Sequence, residues 1–284
     1  MRHECYFCHI RTIEQLIKKF NPEEKLAGKF IFSVHNLIAN NRELANPQLA
    51  TEVHRIARAL FNKQNLYAEE KLKANNLLLE NYRYWKDIVD KSNDPFLTAA
   101  KLSVIGNIID YGAHSVNSNI PDQVESLFRH DLKVNMSKDL QNSIKNAGSV
   151  LYLGDNCGEI VFDKLFIETM DHPNVTYVVR GKPVINDVTF EDAKQVGIDR
   201  VCPVISNGYD APSTLLRFCS DEFLTEFNNA DLIISKGQGN FEGLMESDHK
   251  NIFFLLIAKC DPMTSLLGVQ KNDMVITKLN KQQE

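Results

Sequence analysis

From residue 12 to about 148, polar and apolar residues recur with a helical period, glycines are few and no strand pattern appears, as expected of helices that each bury one face. The spacing predicts helices near 10–19, 23–40, 48–62, 68–90, 95–110, 122–129 and 137–145. Three starts carry entry chemistry: Asn21-Pro22-Glu23-Glu24, Asn46-Pro47 and Asp94-Pro95 each place a capping side chain before a proline whose fixed φ suits a first turn. After residue 148 the texture changes to short β-rich runs, SVLYLG, VTYVVR, RVCPVI, ADLIIS, NIFFLLIA and DMVITK, separated by helical stretches. That alternation predicts an α/β fold with a mostly parallel sheet covered on both faces. The expected organisation is a helical N-terminal portion, residues 1–148, and an α/β portion, residues 149–284.

Composition narrows the classes of function. With 284 residues, 43% of them hydrophobic, the chain can bury a full core and is expected to be a soluble globular protein. A net charge of -5, with no basic run and no aromatic-basic interleaving, argues against a nucleic-acid partner. No stretch approaches the roughly 20 apolar residues of a membrane helix, and MRHECYFCHIRTIEQ lacks the apolar core of a signal peptide. Six scattered cysteines fit reduced thiols in a cytoplasmic setting better than a disulfide framework. Cys5 and Cys8 form a C-x-x-C pair with no second pair to complete a zinc site, so they are expected to pack the N-terminal segment. Oligomeric state is not legible.

In parallel sheets ligands bind beyond the carboxyl ends of the strands, and three such ends are rich in glycine and polar residues. LYLGDNCGEI ends its apolar run in Gly154-Asp155-Asn156-Cys157-Gly158-Glu159; YVVR leads into GKPVINDVT; LIIS leads into KGQGNFE. Asp155, Asn156 and Asp187 offer hard oxygen ligands suited to Mg²⁺ or Mn²⁺. Lys236, with Gly237 and Gly239, offers a positive charge and approachable backbone N–H groups of the kind that hold phosphate. Each segment taken alone also reads as a turn or helix cap; their coincidence suggests phosphoryl chemistry. Cys157 has no histidine in its motif and reads as a packing residue. Asp155 as a phosphoryl-accepting nucleophile lacks a second acid two positions on, so activated water is preferred.

The motifs GDNCGEIVFD, RGKPVINDVT and KGQGNFE, preceded by the helical GNIIDYG at 106–112 and the Cys5-Cys8 opening, resemble over nearly the whole chain the DUF89 or ARMT1-like proteins, described as metal-dependent damage-control phosphatases. The resemblance implies a Rossmann-like C-terminal portion and a metal held by Asp155, Asn156 and Asp187. It also implies that Lys236 and Asn240 face the phosphate or sugar-like part of a small phosphorylated metabolite. Glu159, Asp163, Asn107 and Asp110 match recurring positions, with Asn107 and Asp110 assigned to substrate binding and Glu159 to the pocket wall as a water-orienting base. Arg180, at a strand end, reads equally as a phosphate contact or as a salt bridge over the sheet edge. The implied activity is hydrolysis of phosphomonoesters such as sugar phosphates or cofactor-precursor phosphates, supported by Mn²⁺, Co²⁺, Ni²⁺ or Mg²⁺. Two rivals stand beside it: an S-adenosylmethionine-dependent carboxyl methyltransferase, weakened by the absence of a clear G-x-G after the first strand, and a non-catalytic metabolite-binding module.

Overall fold

A computed structural model describes residues 3–106, 120–249 and 251–278. Among the described residues, seven helices precede the sheet: α1 (His3–Phe20), α2 (Glu24–Asn40), α3 (Asn46–Phe61), α4 (Ala68–Leu79), α5 (Tyr82–Asp90), α6 (Pro95–Ile105) and α7 (Ile120–Phe128). The strands are β1 (Val134–Asn135), β2 (Val150–Leu153), β3 (Val175–Val179), β4 (Val204–Ser206), β5 (Leu232–Lys236), β6 (Ile252–Ile257) and β7 (Met274–Lys278). Between them run α8 (Ser137–Asn146), α9 (Glu159–Met170), α10 (Phe190–Val196), α11 (Asp221–Asn229), α12 (Gly237–Leu244) and α13 (Asp261–Leu267).

The strands form one sheet in the order β1-β7-β6-β5-β2-β3-β4, parallel except for the β6–β7 pair. From β2 the chain winds outward through β3 and β4, then returns to β5 and winds the other way. The crevice between β2 and β5 is therefore the topological switch point where doubly wound sheets bind ligands. Side chains alternate across the sheet. Val150, Tyr152, Tyr177 and Ile234 face a core shared with α5, α6 and α9, whereas Leu151, Leu153, Val178 and Ile233 face one shared with α11 and α12. A third core, including Phe30, Val34, Leu49 and Val53, joins α1, α2 and α3.

All six expected runs contribute strands; the two-residue β1 is an addition too short to leave a pattern. The single helix expected over 68–90 is broken after Leu79, with Asn81 at φ -106, ψ 14. The break lets α5 turn Trp85 fully inward, where its ring meets Phe162 of α9 edge-on at 5.4 Å. Asp94 caps α6 as expected, accepting from Leu97 N at 3.0 Å. The other two entries differ. Glu23 precedes α2, and Asn46 lies inside α3, its Oδ1 accepting from His9 Nε2 at 3.0 Å instead of capping. Asn107 and Asp110, and most of GNIIDYG, lie outside the described residues. No helix among the described residues is long and apolar enough to cross a membrane.

Because Trp85 is buried in the core shared by helices and sheet, Trp85→Ala is expected to cost about 3–5 kcal/mol, the usual penalty for a large buried aromatic. A urea titration followed by circular dichroism reads this directly, and a loss under about 1 kcal/mol would show that α5 is not part of the cooperative core.

Candidate functional site at the β2–β5 crevice

The chain leaves β2 through Gly154 and Asp155, and it leaves β5 through Lys236 and Gly237. Gly237 takes φ +78, and a Cβ there would fall 1.9 Å from Asp155 Oδ2. Glycine is required both for the backbone conformation and for the close approach to that carboxylate. The loop after β3 is pinned to the loop after β2 by several backbone bonds: Val188 N donates to Asp155 O at 2.8 Å, Cys157 N to Asn186 O at 2.8 Å, and Asn156 and Asp187 form an isolated antiparallel bridge. The three expected metal-ligating residues are thereby brought to one place.

Their side chains share polar partners. Asn156 Nδ2 donates to Asp155 Oδ2 at 2.8 Å. Arg180 Nε donates to Asp187 Oδ1 at 2.7 Å, and its Nη2 lies 3.6 Å from Asp155 Oδ1. Arg180 is 2% exposed, and Nη2 has no hydrogen-bond partner. Of the two roles expected for Arg180, the ion pair is thus present, and an orphan donor is left beside Asp155. Burial pushes the Asp187 carboxyl up to about 7; Arg180 opposes that shift and the neighbouring Asp155 charge adds to it. Two buried carboxylates with one guanidinium between them leave excess negative charge at the crevice. An all-oxygen set of two carboxylates and an amide fits a hard divalent cation. No group of three or more His, Cys, Asp or Glu side chains arranged to hold a metal occurs among the described residues; the trio instead counts an amide as its third donor.

Lys236 requires a correction. Rather than facing the crevice, it is 1% exposed, and Nζ donates to Ser103 O at 2.9 Å, Glu159 Oε1 at 3.2 Å and Asp163 Oδ1 at 2.5 Å. Three donors on three protein acceptors leave none for a phosphate. Burial alone would lower its pKa, yet Asp163 and Glu159 raise it, so the ammonium is held charged. Asp163 also accepts from Tyr152 at 2.8 Å, Tyr177 at 3.1 Å and Ser103 at 2.9 Å. Asn240 is likewise a brace: Nδ2 donates to Gly154 O at 3.1 Å and Lys236 O at 2.8 Å, while Oδ1 accepts from Thr214 at 2.9 Å. Thr214 Oγ1 in turn accepts from Arg180 Nη1 at 3.3 Å.

Several contributors were not singled out from the sequence. Asn75 of α4 accepts from Gly158 N at 2.7 Å, fixing the entry to α9 where Gly158 takes φ +85. Thr214 and Ser103 carry no motif. Tyr152 and Tyr177 did carry a signal, since tyrosines inside buried strands need partners for their hydroxyls. Cys157 is buried and Cys8 exposed, and all six cysteines are unpaired.

A family model describing the damage-control phosphatase ARMT1-like domain matches residues 1–275. A protein named damage-control phosphatase from Archaeoglobus fulgidus is 33% identical over 279 residues, covering 95% of this chain and 96% of that one. A second, from Pyrococcus horikoshii, is 33% identical over 281 residues, covering 97% and 96%. The crystal structure of a DUF89 family protein from Pyrococcus horikoshii superposes with a TM-score of 0.89 at 30% identity, covering 99% of both chains.

Beneath the trio, burial pushes the Glu159 carboxyl up to about 8; Lys236 pulls it down, and Asp155 and Asp163 push it further up. Its unfolded value is about 4.5, so the native state holds the extra proton between those limits. Its contribution to stability is full below about pH 4.5 and is lost as pH rises through about 8. Glu159→Gln removes that titration. In chelator, the melting temperature of the variant is expected to gain on the native protein between pH 5 and 8; parallel curves would contradict the assignment.

Proposed function

Because the chain belongs to the damage-control phosphatase ARMT1-like family, we propose that it is a metal-dependent phosphatase hydrolysing phosphomonoesters of small metabolites. The observation that carries this reading is the meeting of Asp155, Asn156, Asp187 and the orphan Nη2 of Arg180 at the switch point of the sheet. Asp155, Asn156 and Asp187 would hold the cation, Mn²⁺, Co²⁺, Ni²⁺ or Mg²⁺. When bound, such an ion polarises a phosphoryl oxygen and lowers the pKa of an attacking water.

The protein's own groups do the rest. Arg180 fixes the Asp187 carboxylate through Nε and offers Nη2 to a phosphoryl oxygen, where a preorganised donor acts on charge as it develops. Gly237 lets the β5 loop close over Asp155 without a side chain in the way. Lys236, itself bonded to Asp163, holds Glu159 beneath the trio, fully buried and so a support of the site rather than the water-orienting base expected of it. Residues 149–284 would form the cation and phosphate site, and residues 1–148 would supply substrate walls as well as supports such as Asn75 and Ser103. Unpaired cysteines throughout support a reducing, cytoplasmic setting.

The test is phosphate release by chelator-stripped protein from p-nitrophenyl phosphate and from sugar and cofactor-precursor phosphates, with Mn²⁺, Co²⁺, Ni²⁺ or Mg²⁺ restored. Metal-dependent turnover that falls more than about a hundredfold in Asp155→Ala is expected. Folded protein that releases no phosphate with any of these ions would overturn the reading, and adenosylmethionine or metabolite binding without turnover would replace it.

A further inference from the structure

Two arginines of α3 grip the loops that carry the site without touching the cation trio. Arg55 Nε donates to Asp210 Oδ2 at 3.0 Å, and Arg55 Nη2 pairs with Asp210 Oδ1. Arg58 Nη2 donates to the same Asp210 at 2.5 Å, while its Nη1 donates to Pro183 O at 2.6 Å. One guanidinium thus bridges the loop after β4, which carries Asp210, and the loop after β3, which carries Asp187. Asp210 is 4% exposed; burial alone would raise its pKa, but the two arginines hold it below the usual carboxylate range. The loops are also pressed together directly, with Gly181 N donating to Tyr209 O at 2.9 Å and a Cβ on Gly181 placed 2.4 Å from the Gly208 carbonyl carbon.

Between Pro183 and Asp187 the backbone is forced. Ile185 takes φ +42, a left-handed conformation that a β-branched residue adopts only when its surroundings dictate it. On one side the segment is tied by Arg58 to Pro183 O, and on the other by the Asn156–Asp187 bridge and the Cys157 N to Asn186 O bond. Strain confined between two anchors, two residues before Asp187, favours rearrangement of the turn when either anchor is released.

We propose that Arg58, supported by Arg55 and Asp210, is a positioning residue for the cation site, holding the strained Pro183–Asp187 turn so that the Asp187 carboxylate stays beside Asp155 and Asn156. This rests on the reading that Asp155, Asn156 and Asp187 bind the cation. A clamp that merely docked α3 onto the sheet would affect stability alone, so the decisive readout is metal affinity in folded protein.

Mn²⁺ binding is measured by equilibrium dialysis on chelator-stripped native protein and on Arg58→Met, Arg58→Lys, Ile185→Gly and Asp155→Ala, well below each melting temperature. Arg58→Met is expected to bind Mn²⁺ about tenfold more weakly, as for loss of a group that orients a metal ligand, with partial recovery in Arg58→Lys. Ile185→Gly relieves the strain that the clamp resists while keeping both anchors, so it is expected to bind Mn²⁺ with near-native affinity; Arg58→Lys carries the test should Arg58→Met fail to fold. Native affinity in a folded Arg58→Met overturns the clamp, as does weakening in Ile185→Gly equal to that in Arg58→Met; where Arg58→Met does not fold, native affinity in Arg58→Lys overturns it. Asp155→Ala separates the two readings: if it alone loses binding, only the clamp falls, whereas native affinity in Asp155→Ala removes the cation site and the clamp with it.

Discussion

The structure depends on a charge pair kept away from water. Lys236 ends the strand β5 and Asp163 lies in α9, and both are buried where sheet and helices meet. Breaking such a pair by removing one partner strands the other and typically costs about 3–5 kcal/mol. The fold meets that demand by surrounding Asp163 with Lys236, Tyr152, Tyr177 and Ser103, drawn from β5, β2, β3 and α6. Four elements are therefore locked in register beneath the crevice. The chemistry-bearing residues are the next along the same chain segments, so the network that secures the core also sets the site.

This arrangement separates two kinds of polar residue at the strand ends. Lys236, Asp163 and Asn240 satisfy one another or the backbone and act as the floor. Asp155, Asn156, Asp187 and Arg180 form the layer above, where negative charge exceeds positive charge and one donor makes no hydrogen bond. The upper layer is costly to assemble without a ligand, because two carboxylates are desolvated close together. An imbalance of that sort at the switch point of a doubly wound sheet is what a cation-binding site looks like before its ion is considered.

Much of this was legible in the sequence. The six β-rich runs are apolar enough to be read as buried strands, and their polar endings gather at one edge of the sheet because parallel strands all deliver their loops there. Asp155, Asn156 and Asp187 could be grouped because their residue types share one chemistry. Lys236 was misread: a lysine followed by glycines reads as a phosphate donor when Asp163 is not known to lie beside it. The i, i+4 spacing of Glu159 and Asp163 on α9 was a clue, since it places both acids on one helix face. No local pattern could reveal Thr214, Asn75 or Arg58, whose contacts span many residues. The break between α4 and α5 was equally hidden, because the sequence there is helical throughout and the turn is set by where Trp85 can be buried.

The claim on which everything turns is that Asp155, Asn156 and Asp187 share one cation. The most direct measurement is anomalous X-ray diffraction at the manganese edge from crystals of the protein grown with Mn²⁺. A single strong anomalous peak within coordination distance of Asp155, Asn156 and Asp187 oxygens, about 2.0–2.3 Å, is the predicted result. A manganese peak elsewhere in the molecule, with Asp155 and Asp187 still paired to Arg180 and no density between them, would contradict it.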